Sequence, residues 1–283
     1  RHTRYGTVTG VQTCALPISI LRSARLGARP PPRNAEFPMN KDQTLAGKLG
    51  RNWRRMGQRI SLAVNLIAKV GLAKAWRLSR ASRSQIGQDL FALSELGAPA
   101  KGFFVEFGAT NGVDRSNSWM MEKRLGWQGI LAEPARCWHR ALATNRGCAI
   151  EHRCVWKSTG ERLTFNEVDD PELSTIGSFR DHDFHGSARQ SSRSYEVETI
   201  SLADLLREHH APPVMELLSI DTEGSEFEIL EAFDFDRWRF RAIVCEHNYA
   251  PIREKIHALL TVKGYVRRYA DLSRFDDWYV WQG

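Results

Sequence analysis

Cysteine is sparse in this chain. Cys14, Cys137, Cys148, Cys154 and Cys245 are spread over 283 residues, and no two are spaced as CxxC. That usage excludes a disulfide-stapled fold and a zinc site of paired thiolates, and it fits a reducing compartment. Long apolar runs are missing as well: the best candidate, 60–72, is too short to span a membrane and is broken by Asn65 and Lys69. There is no internal repeat. The dinucleotide fingerprint GxGxxG, whose glycines serve a pyrophosphate at a helix start, does not occur, which argues against a nicotinamide-linked oxidoreductase.

Acidic residues are scarce only at the front. The chain has 40 Lys and Arg against 33 Asp and Glu, a net charge of +7. Residues 1–38 hold six Arg and one Glu, 41–83 hold eleven basic groups and only Asp42, and 84–283 hold 23 basic against 31 acidic, a net of −8. A nucleic-acid surface needs clustered Lys and Arg, so the acidic body argues against a general one and no nucleic-acid partner is expected. The opening has no helix or strand period and includes Pro30-Pro31-Pro32. Its piece Tyr5-Gly-Thr-Val-Thr-Gly-Val-Gln-Thr-Cys14 resembles translated sequencing-adaptor sequence. We expect 1–38 to be a non-native or disordered leader and the natural protein to start at Met39. The apolar stretch 15–21 is short and interrupted by Pro17, unlike a secretory signal. The body from Ser84 onward, roughly 200 residues, suits one domain with a proper core.

Between these lies a basic amphipathic segment, 39–83. Leu45, Leu49, Trp53, Met56, Ile60, Val64, Ile67 and Gly71 recur at steps of three and four, with Lys48, Arg51, Arg54, Arg55, Arg59 and Lys69 beside them. Two readings stay open for 44–78: a helix lying on an anionic membrane surface, or a helix packed on the domain or on a second subunit. Gly57 and Gly71 weaken an unbroken helix.

From Ser84 the pattern alternates strand and helix, the mark of an α/β fold. Residues 88–96 read as a helix. Residues 103–107, all large and mostly apolar, read as a strand buried on both faces that runs into a glycine turn. A helix over 118–125 stopping at Gly126, a strand over 129–133, a helix over 134–144 and a strand over 148–156 follow. Strands over 161–168 and 195–199 flank a polar loop, 169–193, with His182, Asp183 and His185, either a metal site, an acceptor lid or a solvated loop. Ser201 with Asp204 and Ser225 with Glu228 are expected to cap the next helices. Apolar strands ending in Asp221 and Glu246, a helix over 252–260 and strands near 264–269 and 278–281 complete a doubly wound sheet.

Such sheets bind ligands outside the carboxyl ends of their strands. The first turn reads Glu106-x-Gly108-x-Thr110-x-Gly112, and Glu133 ends the second strand about twenty residues on, where a carboxylate accepts both hydroxyls of a ribose. Glycines at 108 and 112 let the backbone approach a nucleoside or amino acid closely. An acid before the turn for a cationic methionine portion, an acid after the next strand for a ribose, and no phosphate cradle together suit S-adenosylmethionine.

Five blocks in order carry a resemblance. Ser84-Gln85-Ile-Gly87-Gln88-Asp89, Phe104-Val-Glu106-Phe-Gly108-Ala109-Thr110-Asn111-Gly112, Ser116-Asn117-Ser118, Gly126-Trp127-Gln-Gly-Ile-Leu-Ala-Glu133-Pro134 and Ser219-Ile-Asp221-Thr-Glu223-Gly224 resemble the FkbM family of methyltransferases, over 84–283. The resemblance implies a Rossmann-like class I methyltransferase with a seven-stranded, mostly parallel sheet and helices on both faces. It also implies S-adenosylmethionine as donor, held by Glu106, Gly108, Ala109, Asn111, Gly112, Asn117, Glu133, Pro134 and Asp221. Methyl transfer would go to a hydroxyl of a sugar, glycoconjugate or natural product, in the cytoplasm or at the inner face of the membrane. Thr110 departs from the middle glycine of the general methyltransferase turn.

Methyl transfer from a sulfonium is an in-line displacement, and an alcohol attacks only as its proton leaves, which calls for a base or a metal ion. Asp221 and Glu223 on one strand end and Glu246, His247 and Asn248 on the next supply candidates. His247 is the first choice as base because its ordinary pKa lies near neutrality, with Asp221 orienting it. Asp221, Glu246 and Asn248 also offer oxygen ligands to a divalent cation such as magnesium. The rival is a non-catalytic module of the same fold that binds a partner or membrane through its basic helix.

Overall fold

Five residues start the sheet. β1 (Phe103–Phe107) alternates its side chains, so Val105 and Phe107 enter the core on one face and Phe104 the core on the other, while Glu106 ends up near the ligand edge. In this computed structural model, which describes residues 45–168, 175–176 and 192–283, β1 pairs in parallel with β2 (Gln128–Ala132) on one side and β8 (Val214–Ile220) on the other. Beyond β2 lies β3 (Ala149–Glu151); beyond β8 lie β9 (Arg239–Glu246), β11 (Asp276–Trp281) and β10 (Tyr265–Arg268). The order is β10-β11-β9-β8-β1-β2-β3, with β11 antiparallel to both neighbours. This is the expected seven-stranded, mostly parallel sheet. Its order reverses between β1 and β8, so the carboxyl ends of those strands flank a topological switch point.

Both faces are covered. Leu202, Leu205 and Leu206 of α6 (Leu202–Glu208), Ile229 and Leu230 of α7 (Glu226–Glu231) and Ile256 and Leu260 of α8 (Ile252–Val262) fill one core. Phe91 and Leu93 of α3 (Gln88–Leu96), Met120 and Met121 of α4 (Trp119–Leu125) and Leu142 of α5 (His139–Asn145) fill the other. Ser201 caps α6 as expected, accepting from Asp204 N.

Several sequence expectations change. Residues 148–156 are two strands, not one: after β3 the chain leaves for a second, smaller sheet, in which β4 (Cys154–Trp156) joins β7 (Ser192–Ser201), β5 (Arg162–Val168) and β6 (Thr175–Ile176). The break falls where Arg153 turns back on Glu151, which accepts from both its backbone N and its Nε at 2.9 Å. The helix after Glu133 starts only at His139, because a turn occupies the preceding residues, with Trp138 N donating to Ala135 O. Ser225 does not cap α7; it donates to Thr222 Oγ1, and Glu226 instead accepts from Thr222 N and Gly224 N.

The 44–78 segment is α1 (Leu45–Val70) and α2 (Leu72–Ala81), separated at Gly71, whose φ of 79° only glycine adopts freely. α1 lies against α3, but through Leu62 and Leu66; the stripe at Trp53, Met56, Ile60, Val64 and Ile67 faces outward. The leader 1–38 and the histidines of the 169–193 loop lie outside the described residues.

Candidate functional site

A cavity of about 380 Å³ opens at the carboxyl ends of β1, β2, β8 and β9, a size that small-molecule sites commonly have. One wall carries Glu106, Gly108, Ala109, Thr110, Asn117, Glu133 and Pro134, and the other Asp221, Glu223, Glu246 and Asn248. Asn111 and Gly112 do not line it. Asn111 closes a local turn, its Oδ1 accepting from Val113 N and Asp114 N, and a side chain at Gly112 would strike Arg146 and Leu142. Gly108 serves the fold in the same way: a Cβ there would lie 2.2 Å from Asp221 O, so its hydrogen lets the tips of β1 and β8 touch. Both glycines thus make room for neighbouring protein atoms, and Gly108 also lines the cavity.

Glu106 accepts from three donors. It accepts from Asn117 N at 2.6 Å, from Ser116 Oγ at 3.0 Å and from Ser118 Oγ, with Arg146 Nη1 3.9 Å away. Arg146, whose side chain is fully buried, also donates to Glu122, Gly112 O, Ser116 and Ser118. Glu106 lines the cavity and also holds the 116–118 segment through these bonds. Asn117, which that network positions, donates its Nδ2 to Ser219 Oγ; its buried Oδ1 has no hydrogen-bond partner among the described residues. Glu133 is buried and accepts from Thr110 N and Ala135 N, each at 2.8 Å. Burial pushes its pKa up to about 7, against those two donors. Thr110 holds a φ of 45°, the left-handed backbone a glycine would take without strain, and its N–H is the one Glu133 receives.

The opposite wall is crowded with like charge. One carboxylate oxygen from each of Asp221, Glu223 and Glu246 falls within 4.8 Å of the others, close enough to hold a divalent cation. Asn248 Nδ2 donates to Glu246 at 2.9 Å and to Glu223 at 3.3 Å, so of the expected ligands Asn248 presents its amide nitrogen here, and Glu223 takes its place. Burial, then the charges of Asp221 and Glu223, hold the Glu246 pKa well above the usual carboxylate range. Crowding by neighbouring carboxylates favours the protonated form of Glu246 and makes it a candidate for proton exchange.

His247 is elsewhere. Alternation at the end of β9 sends Glu246 and Asn248 to the cavity and His247 away from it, into a buried contact with Asp277 at 3.8 Å, where Nδ1 accepts from Tyr249 N. Burial lowers its pKa despite Asp277. It is a packed histidine next to the site whose side chain does not line the cavity.

Residues 106–278 match the family model described as the methyltransferase FkbM domain. The chain belongs to the FkbM methyltransferase family. A crystal structure of methyltransferase FkbM from Methylobacillus flagellatus KT is similar at 10% identity and a TM-score of 0.41, over 73% of this chain and 57% of that one. This FkbM chain thus spans less than two thirds of that structure's length. No curated protein matches it.

Reading the sequence missed several residues of the FkbM cavity. Asp276, at the start of the antiparallel β11, is buried and lines it, with a pKa raised by burial and then by Asp221 to about 7; Gln88 Nε2 donates to it at 2.8 Å. Gln88 and Gln85 stand in the first motif block, which was the available signal. Nothing local marked Asp276 or Arg146.

Proposed function

We propose that this chain is an S-adenosylmethionine-dependent O-methyltransferase acting on a hydroxyl of a sugar, glycoconjugate or natural product. The observation that carries the reading is a cavity at the switch point with a buried acceptor wall, Asn117 and Glu133, facing an acid wall, Asp221, Glu223 and Glu246. When bound, the donor supplies an activated methyl on a sulfonium. Asn117 Oδ1 offers an unused acceptor to an ammonium group. Glu133 keeps a lone pair on each oxygen after accepting its two backbone donors, enough for two ribose hydroxyls. Family membership supports methyl transfer, and no pyrophosphate-binding glycine pattern competes with it.

The acid wall takes the acceptor's proton. Glu246, whose proton affinity is raised by burial and by Asp221 and Glu223, accepts the hydroxyl proton in its ionised form as the oxygen–methyl bond forms and the methyl–sulfur bond breaks, leaving a neutral thioether and a neutral Glu246. The cavity itself aligns oxygen and methyl, which is the larger part of catalysing a displacement.

Calorimetry with the purified chain tests the donor site: micromolar binding of S-adenosylmethionine is expected, weakened about tenfold or more by Glu133→Ala. Unchanged affinity in that variant removes Glu133 from the ribose, and no binding at all leaves the non-catalytic module as the better account. Labelled donor with a panel of glycolipids, polysaccharides and polyketides then identifies the acceptor. Turnover that vanishes with a chelator and returns with magnesium assigns the three acids to a cation instead of to the proton.

A further inference from the structure

α1 carries two faces, and only one is used. Inward, Leu62 and Leu66 are buried, Asn65 Nδ2 donates to Tyr269 OH at 2.9 Å, and Arg55 and Gln58 donate to Asp271 at 3.0 and 3.3 Å. Outward, Trp53 is 75% exposed and Ile60 57%, in line with Met56, Val64 and Ile67 at the helical spacing. After the break at Gly71 the pattern resumes on α2, with Leu72 69% and Trp76 61% exposed while Ala75 and Leu78 are buried. Scattered exposed apolar residues need no explanation, but seven in two consecutive helices form a surface that water disfavours.

Charge decides what covers it. Residues 45–83 contain ten Lys and Arg and no acid. Arg54 and Arg59 sit on either flank of the α1 stripe, and Lys69, Arg77, Arg80 and Arg83 continue the exposed basic set, Arg80 lying over the Trp76 ring at 5.2 Å. We propose that the outward face of α1 and α2 docks on an anionic bilayer surface, apolar side chains at the acyl boundary and the basic flanks among the headgroups. An amphipathic helix with basic edges binds in this way, each Lys or Arg near such a surface strengthening the attachment. A two-fold contact with a second copy would set basic flank against basic flank, since an isologous interface pairs a patch with itself. A nucleic acid would satisfy the charges but leave the apolar stripe in water. Among the described residues no helix is long and apolar enough to cross a membrane, so the contact is peripheral.

The surface also lies close to the cavity in the chain. α2 ends at Ala81; Ser82 and Ser84 then bond to Asp89, and Gln85 and Gln88 line the cavity. A docked α2 holds this rim of the site near the headgroups, where a lipid-linked acceptor would be presented. The docking itself does not depend on the donor reading, and its test uses no donor.

The full chain is sedimented with vesicles of phosphatidylcholine alone and of phosphatidylcholine with phosphatidylglycerol. Binding is expected to the anionic vesicles, to fall steeply as salt rises, and to be weak on the neutral ones. The double variant I60E/W76E, which leaves Leu62, Leu66, Ala75 and Leu78 in place, is expected to bind about tenfold or more weakly at an unchanged melting temperature. A lower melting temperature is met by a second variant, R59Q/R80Q, which alters only exposed side chains and is expected to reduce binding and its salt slope. The proposal is overturned if neither vesicle binds at low salt, if both double variants bind as the native chain does, or if the chain forms a dimer that I60E/W76E dissolves and that binds no vesicle.

Discussion

Two groups of carboxylates share one sheet edge and live under opposite conditions. At the tip of β1, Glu106 and its neighbour Glu122 are met by donors: two serines, an amide N–H and the buried Arg146, which bridges them. Across the cavity, one carboxylate oxygen from each of Asp221, Glu223 and Glu246 lies within 4.8 Å of the others, and Asn248 donates to two of them. A carboxylate supplied with donors and a guanidinium is stabilised in its charged form and becomes a structural joint. A carboxylate surrounded by carboxylates is destabilised in its charged form and holds or yields a proton at modest cost. The same residue type thus fastens one wall and leaves the other chemically poised, and the sequence motif around each gives no hint of which is which.

The largest expected effect separates the two walls by activity. Glu246→Gln keeps an oxygen to accept from Asn248 and removes a titrating group, so methyl transfer should fall about 10²- to 10⁴-fold. Thermal stability should hold or rise, since one member of a like-charged cluster is gone. Initial rates and a melting curve on the same preparation check this. A variant that melts early while retaining its rate would show that the acid wall is the structural one.

Arg146→Met should do the reverse. It strands Glu106 and Glu122 without their shared cation in a buried setting, which costs about 3–5 kcal/mol. Urea unfolding measures the loss. Donor affinity should fall with it, because Asn117 is held by the network that Arg146 anchors. A cost under about 1 kcal/mol would mean that the serines alone satisfy Glu106.

Much of this frame was legible in the residues, and what escaped had a common cause. β1 was read to the residue because a run of large apolar side chains ends at a glycine; α3 and the Gly126 stop of α4 were equally local. The division of 148–156 between two sheets was not, since both halves are apolar and only the Arg153–Glu151 contact, visible in three dimensions, turns the chain. Periodicity announced the α1 stripe but could not say which of two faces packs, because Leu62 and Leu66 are as apolar as Ile60 and Val64. An ordinary pKa near neutrality singles out His247 in the sequence, whereas the two-residue alternation leaving β9 gives the cavity to Glu246 and Asn248. Asp276 comes from the strand that closes the sheet antiparallel, far along the chain from the motif blocks, and only strand order brings it to Asp221.

The smallest effect sharpens the contrast most directly, through pH. The ordinary value for Glu122 is 4.5 and the folded value about 2: burial acts to raise it, but Lys123, Arg146 and Gly147 N–H more than offset that. A lowered carboxyl contributes stability that is present above the unfolded value and lost as pH falls from about 4.5 towards 2. Asp276 runs the other way, from 3.8 to about 7 through burial and then Asp221. Its folded form prefers the proton, so stability declines as pH rises from about 4 to 7 and stays reduced above. Chemical denaturation across pH should therefore show a maximum between the two windows. Asp276→Asn, which keeps an acceptor for Gln88, should make the neutral limb shallower, a limb to which Glu133 also contributes, and add on the order of 2 kcal/mol near pH 8 while leaving the acid limb unchanged. Glu122→Gln should make the acid limb alone shallower, a limb to which Glu151 and Asp277 also contribute. If one substitution flattens both limbs, the two walls titrate as a single unit and the division between a fastened wall and a poised one does not hold.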